Sequence, residues 1–245
     1  MSEQSPLVVL VHGAFAESAS WNGVIERLHG RGVDVVAVAN PLRGVRNDAT
    51  YLRDVIAGLG RPVLLVGHSY GGIVITGAAG AGNPSVVGLV YVAAFAPDEG
   101  ESAFELSTRQ PGSTLGEALA AYPVSSGGNE LAIRLEAFHE QFCADVPDSV
   151  AGQMARTQRP VTEQALKDGL PTDRPGWKTL PSWFVIAGDD RNIPAAELRD
   201  EAARAGARGV REIAGASHAV SVSHPDEVTE VILEALAGCA ASTAA

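Results

Sequence analysis

The chain has 245 residues, 46% of them hydrophobic and 19% charged, enough for one large α/β domain with an ample core. Its formal net charge of −11 argues against nucleic acid or an anionic membrane as a partner, because both need a basic surface. The two cysteines, Cys143 and Cys239, form neither a disulfide framework nor a zinc pattern, so no metal and no cofactor is expected.

The opening residues, MSEQSPLVVLVHG, lack the basic start and long apolar core of a secretory leader. No apolar run approaches the roughly 20 residues of a membrane helix, so a cytoplasmic protein is expected. Residues 7–11 (LVVLV) are all apolar and end in His12-Gly13-Ala14, the pattern of a buried central strand running into a loop. Ser20 is placed to cap a helix carrying Trp21, Val24, Ile25 and Leu28, which stops near Gly30 and Gly32. Val33, Val35, Val36 and Val38 make the next strand, closed by Asn40-Pro41. Residues 48–59 follow as a helix with Leu52, Val55, Ile56 and Leu59 on one face. Residues 63–66 (VLLV) form a further buried strand, then comes a helix over 71–79 rich in small residues, then a strand over 86–93. Strands alternating with helices at such short spacing imply a parallel sheet with right-handed crossovers.

From 97 to 181 the alternation stops. No convincing strand is visible, Pro111, Gly112, Pro123, Gly127, Gly128, Pro147, Pro160 and Pro171 punctuate the segment, and helical periods run over 131–142, 150–154 and 161–170. So long an insertion is more than an idle loop, and it reads as a helical lid over one edge of the sheet. The expected division is a core of 1–96 and 182–245 with a cap of 97–181. The α/β pattern resumes with a strand over 182–187 (SWFVIA), a helix over 194–205 and a strand near 210–213. A last helix over 225–237 is expected to end at Gly238, leaving CAASTAA as a frayed tail.

Between the strand at 63–66 and its helix stands Gly67-His68-Ser69-Tyr70-Gly71, a match to G-x-S-x-G extended by Gly72. A strand that turns abruptly into a helix crowds the central residue, so side chains two positions either side would collide with neighbouring elements. The turn lifts the Ser69 hydroxyl to a helix N-terminus, where free N–H groups favour developing negative charge. A serine hydroxyl is a poor nucleophile at neutral pH and needs a positioned base and a group that orients that base. The motif predicts an acid and then a histidine on loops after later strands. GASH, after the strand near 210–213, offers His218 among small residues with no apolar stripe around it. His224 reads as a capping or surface residue, His29 and His139 as solvated, and His68 as structural. GDDRNIP, after the strand at 182–187, offers Asp189 and Asp190. These two compete; Asp190 is preferred because the helix it precedes begins near Pro194 and the acid loop of enzymes with such a serine turn commonly has an aspartate four residues before a proline. Two backbone N–H donors for an oxyanion are expected at Tyr70, next to the serine, and at Ala14, in the loop after the first strand. Gly13 lets that loop approach closely and His12 braces it.

LVHGAF, LVGHSYGG, VYVAAFAPD, GDDRNIP and GASHAV resemble segments of the α/β-hydrolase superfamily. Within it they are similar to the group of plant methyl esterases, plant hydroxynitrile lyases and bacterial carboxylesterases such as pyrethroid hydrolases. The likeness runs over about 7–236 and includes lid residues FHEQFCADVPDSVAGQMARTQRP. It implies an α/β-hydrolase fold, a mostly parallel sheet of about six strands flanked by helices, with a helical lid inserted before the last two strands. It also implies Ser69, Asp190 and His218 as the catalytic triad, with Ala14 and Tyr70 as donors. The similar lyases carry a lysine directly after the catalytic histidine. Here that residue is Ala219 and the two lysines, Lys167 and Lys178, lie elsewhere, which disfavours cyanohydrin cleavage.

The expected activity is a serine carboxylesterase acting on a small or medium apolar ester. The alternative is a non-hydrolytic lyase, acyltransferase or cyclase using the same triad, since fold and triad do not fix the reaction. A receptor-like binding member stands third. Phe15, Phe104, Phe138, Phe142 and Trp177 are candidates to line an apolar pocket, against the competing reading that each holds the lid onto the core. The expected partner is a small-molecule ester, and monomer and homodimer both remain open.

Overall fold

Apolar runs without polar alternation become the inner strands of one parallel sheet, because helices cover both of its faces. The computed structural model describes residues 5–243 except 81; the expected leaderless start and frayed tail thus fall partly outside the described residues. Its first half runs β1 (Leu7–Val11), a 3₁₀ turn (Ser18–Trp21), α1 (Asn22–Gly30), β2 (Val35–Val38), α2 (Val45–Leu59), β3 (Val63–His68), α3 (Tyr70–Ala79) and β4 (Val86–Val92). An insertion follows: α4 (Ala103–Arg109), α5 (Leu115–Ala118), β5 (Leu119–Pro123), β6 (Asn129–Ile133), α6 (Leu135–Phe142), α7 (Asp148–Thr157), β7 (Val161–Thr162), α8 (Glu163–Lys167) and a 3₁₀ turn (Gly176–Lys178). The chain then returns through β8 (Ser182–Ala187), α9 (Ala195–Arg204), β9 (Gly209–Ile213), α10 (Val220–Ser223) and α11 (Pro225–Thr243). No helix among the described residues is long and apolar enough to cross a membrane.

The strand order is β2-β1-β3-β4-β8-β9, all parallel. The chain therefore starts inside the sheet, steps out to β2, and crosses back over β1 to β3. Strand order reverses between β1 and β3, and a crevice opens there at the carboxyl ends of the strands. Val11 pairs with Gly67 in register, which sets His12–Ala14 beside His68–Tyr70. Ala187 pairs with Ile213, which sets the loops after β8 and β9 side by side.

Three local expectations are corrected. The insertion is not purely helical: β5, β6 and β7 form a small antiparallel sheet. Its strands are masked in the sequence because β5 is Leu-Ala-Ala-Tyr-Pro, with only Leu119 partly buried, and because Leu131 also fits the helical period of α6. Gly127 and Gly128, both at positive φ, close the β5–β6 hairpin. Ser20 does not cap α1; it lies in the 3₁₀ turn and its hydroxyl donates to Glu17 O at 2.7 Å. Gly238 does not end α11, which runs on to Thr243. A Cβ at 238 would stand 2.6 Å from the Trp183 ring, so this glycine serves close packing on β8, and Cys239 next to it donates to Val87 O of β4.

The helix after β8 carries an unusual buried load. Glu197 and Glu201 of α9 are both buried. Glu201 Oε2 accepts from Ala96 N–H at 3.1 Å, and Arg204 donates to Ala96 O and pairs with Glu101. Burial pushes the Glu201 carboxyl up to about 8, and burial raises Glu197 as well. A carboxyl whose folded pKa is raised holds its proton in the folded state after the unfolded chain has released it. Its stabilising contribution is full below about pH 4.5 and is lost as pH rises through about 8, on the order of 5 kcal/mol in all. Denaturant titrations at pH 5 and pH 8 should show wild type losing stability over that window and Glu201→Gln losing much less. Equal losses would show that Glu201 does not titrate there.

Candidate active site

Ser69 joins β3 to α3 with φ 55° and ψ −125°, a conformation that side-chain-bearing residues rarely adopt. Surrounding backbone pins it there. Ser69 N–H donates to Ala93 O at 3.2 Å, and its carbonyl accepts from Gly72 N–H at 2.9 Å and Phe95 N–H at 3.3 Å. The turn closes only with glycine on both sides: a Cβ at Gly67 would meet Gly71 O at 2.7 Å, and one at Gly71 would meet Val11 O at 2.4 Å. Gly13 is as constrained, since its Cβ would lie 2.6 Å from Ser69 Cβ and 3.2 Å from Ser69 Oγ. The loop after β1 thus lies directly on the serine.

Asp190 and His218 come together from the loops after β8 and β9. Asp190 Oδ2 lies 2.7 Å from His218 Nδ1, and both side chains are buried. The other carboxylate oxygen, Oδ1, accepts from Asn192 N–H at 2.7 Å and Ile193 N–H at 3.0 Å. Two fixed backbone donors therefore orient the acid, and the acid orients the imidazole. Asp189 is exposed, and its backbone N–H donates to Ala216 O at 2.9 Å, zipping the two loops together. Of the two aspartates, Asp190 is the one whose carboxylate meets His218. His218 Nε2 is buried with no hydrogen-bond partner among the described residues, Ser69 included.

His68 does more than fill the turn. Its Nε2 lies 2.9 Å from the His218 carbonyl oxygen and its ring centroid 4.7 Å from that of His218. The carbonyl can only accept, so His68 carries its proton on Nε2. Burial, followed by the adjacent His218, holds its pKa well below the usual imidazole range, which keeps it neutral. His12 braces the β1 loop as its position suggests: Nδ1 lies 2.9 Å from Gly13 O, and Nε2 accepts from Asn40 N–H at 3.0 Å. His139 and His224 serve the periphery, the first against Val146 O and the second near Asp145 and Glu227. His29 is exposed.

The backbone N–H groups of Ala14 and Tyr70 donate to nothing among the described residues, and both residues line one cavity with Ser69. Tyr70 is the first residue of α3, so its N–H belongs to the electropositive helix end. Its phenol is anchored separately, donating to buried Asp48 Oδ2 at 2.8 Å. Asp48 also accepts from Arg43 and Gly44 N–H. It locks the loop after β2 to the serine turn, a role hidden in a residue that reads as an ordinary first-turn helix acid.

The cavity, about 440 Å³, lies between these loops and α4, α5 and α8 of the insertion. Its apolar wall includes Phe15, Phe95, Phe104, Leu119, Leu131 and Leu166. The other three expected pocket residues are not in it, a correction. Phe138 packs on Phe142 with ring centroids 5.0 Å apart. Phe142 stands edge-on to His218 at 5.0 Å, and its carbonyl accepts from Ala219 N–H at 3.0 Å. Trp177 donates to Pro97 O at 2.8 Å, with Arg204 and Lys178 against its ring. All three are buried; Phe142, through His218 and Ala219, and Trp177, through Arg204, fasten the insertion to the core, while Phe138 packs on Phe142 within α6. Asp145 adds to this clamp by accepting from the hydroxyl of Ser217, directly before His218. That contact joins residues 72 positions apart, and no local pattern signals it.

Comparison with known proteins agrees with this architecture. The model of the alpha/beta hydrolase family matches residues 8–231. The alpha/beta hydrolase nvfD of Aspergillus novofumigatus is 29% identical over 252 residues, covering 94% of this chain and 96% of that protein. The pyrethroid hydrolase of Sphingobium wenxiniae is 28% identical over 243 residues, covering 93% and 86% respectively. Among solved structures, polyneuridine aldehyde esterase superposes with a TM-score of 0.80 at 22% identity, over 94% of this chain and 99% of that one, which speaks for the fold alone. With a family match across nearly the whole length, the chain belongs to the alpha/beta hydrolase family.

Proposed function

We propose that the protein is a serine carboxylesterase acting on a neutral ester with apolar substituents. The observation that carries the reading is the 2.7 Å pairing of Asp190 with His218 Nδ1, which leaves Nε2 without a partner. An imidazole held this way carries its proton on Nδ1 and keeps Nε2 as a base. In the proposed reaction His218 Nε2 removes the proton of Ser69 Oγ as that oxygen bonds to the ester carbonyl carbon. The carbonyl oxygen becomes an oxyanion and takes hydrogen bonds from the N–H groups of Ala14 and Tyr70, each worth about 3 kcal/mol in the transition state. The carbon–oxygen bond to the alcohol then breaks, and His218 hands its proton to the departing alkoxide. Water, deprotonated by the same nitrogen, attacks the acyl-enzyme, releases the carboxylic acid and restores Ser69.

On this reading residues 97–181 act as a cap that keeps water away from the reacting carbonyl, with Phe15 and Phe104 as apolar walls. The apolar lining favours esters over charged substrates. The hydrolase name of the Sphingobium wenxiniae relative and the esterase name of another, the carbendazim hydrolyzing esterase of Nocardioides sp., 36% identical over 40% of this chain, support ester chemistry without fixing the substrate. Buried Ala219 offers no ammonium beside His218 to receive a leaving anion, which weighs against cyanohydrin lysis. A serine-directed fluorophosphonate should add once, at Ser69, and abolish hydrolysis of a short aryl ester in proportion to labelling. Ester hydrolysis that survives complete labelling would overturn the reading.

A further inference from the structure

The cavity is poor in free side-chain donors. Ser107 and Thr108 donate back to Phe104 O at 2.9 and 3.0 Å, and Ser113 donates to Asn192 O at 2.9 Å. Thr114 donates to Gln141 Oε1 at 2.9 Å and Tyr70 to Asp48. Lys167 is paired with Glu163 at 2.5 Å. Asn192 differs from all of these. It lines the cavity, is only 2% exposed, and its Nδ2 has no acceptor among the described residues.

The orientation of its amide follows from its neighbours. The carbonyl of Arg191 can only accept, so the end of Gln141 facing it at 2.9 Å is the nitrogen. That nitrogen's second hydrogen reaches Asn192 Oδ1 at 2.8 Å. Were Asn192 turned over, two NH₂ groups would face each other. Its oxygen therefore meets Gln141 and its nitrogen faces away. The turn that gives Asp190 its two backbone donors, Asn192 N–H among them, also holds Asn192 in place. With no acceptor among the described residues, its amide nitrogen is available to the cavity that Asn192 lines, where the natural acceptor is an oxygen of the ligand.

We infer that Asn192 Nδ2 is a recognition donor for a second acceptor oxygen on the substrate, distinct from the scissile carbonyl. The inference rests on the esterase reading for the reaction but not for the binding. It names the substrate class: an apolar ester that also carries a ketone, aldehyde, ether or amide oxygen. That oxygen is neutral, because Lys167 is already paired and Glu117 and Glu163 also line the cavity, where a carboxylate would meet like charge.

The test uses ethyl hexanoate against its 3-, 4- and 5-oxo derivatives, so that the position of the second oxygen is read as well. Wild type should prefer at least one oxo ester by about 10- to 100-fold in kcat/KM. Asn192→Leu removes the donor at similar size, and Asn192→Asp keeps an oxygen facing Gln141 while removing the donor. Both should collapse the preference to within about threefold, whereas general damage to the turn would lower all four esters together. Dissociation constants measured by calorimetry on Ser69→Ala, alone and combined with Asn192→Leu, read the same preference without turnover. An oxo preference that is absent from both readouts, or that survives both Asn192 variants, overturns the inference. If no ester is hydrolysed but the affinity preference depends on Asn192, recognition stands and hydrolysis falls. If esters are hydrolysed with no oxo preference, hydrolysis stands and recognition falls.

Discussion

Ser69→Ala and Ser69→Gly should both lower kcat for ester hydrolysis by about 10⁶-fold, and the glycine variant should be the more stable protein. The kinetic loss follows from removing the hydroxyl of the residue that shares the cavity with Ala14 and Tyr70, whose N–H groups have no acceptor among the described residues. The stability difference follows from backbone geometry. Ser69 sits at φ 55° and ψ −125°, a strain on the order of 1–3 kcal/mol for a residue with a Cβ. Alanine keeps the Cβ and so keeps the strain. Its loss of the hydroxyl is nearly free, because Ser69 Oγ makes no hydrogen bond among the described residues. Glycine relieves the strain, offset in part by a more flexible unfolded chain, for a net gain of about 1 kcal/mol, or about 2–4 °C in Tm at this length. Activity above about 1% of wild type in either variant would remove Ser69 from the proposed mechanism. Equal melting temperatures would remove strain from the account of the turn.

Much of the fold is legible in the sequence because the strands that hold the site are apolar on both faces. Leu7–Val11 and Val63–His68 are buried throughout, and no polar alternation competes with that reading. The serine turn is legible for a related reason: Gly67 and Gly71 are required by contacts under 3 Å, so the demand for glycine is written into the chain. The insertion is less legible. Its small sheet lies largely at the surface, with β5 mostly exposed, so burial leaves little periodic trace. Phe138, Phe142 and Trp177 show how an aromatic residue declares burial but not its partner. Each could line a pocket or clamp a loop, and only the fold places Phe142 edge-on to His218. Contacts between partners far apart in sequence, Asp48 with Tyr70, Gln141 with Arg191 and Asp145 with Ser217, carry no local signal. His68 reads as structural from its place in the turn, and its hydrogen bond to the His218 carbonyl adds a tie between the serine turn and the histidine loop.

The second large effect is expected at Asp190. Asp190→Asn should lower kcat by about 10⁴-fold at neutral pH, with KM nearly unchanged. The amide fits the same space. Its oxygen still accepts from the N–H groups of Asn192 and Ile193, which now hold Asp190 Oδ1 at 2.7 and 3.0 Å. The amide nitrogen is then the group that faces His218 Nδ1. A donor cannot meet a donor, so the imidazole must move its proton to Nε2, the nitrogen that has to accept from Ser69. The variant keeps its fold and its pocket but presents the wrong tautomer, and the rate of fluorophosphonate labelling at Ser69 should fall in parallel with kcat. Asp189→Asn provides the contrast. Its side chain is exposed, and its structural contribution, the bond from its N–H to Ala216 O at 2.9 Å, belongs to the backbone. That variant should stay within about twofold of wild type, as surface substitutions generally do. Equal losses at 189 and 190 would mean that the loop as a whole, and not one carboxylate, sets the histidine. A loss confined to Asp190 that spares labelling would mean that the acid acts after the serine has reacted.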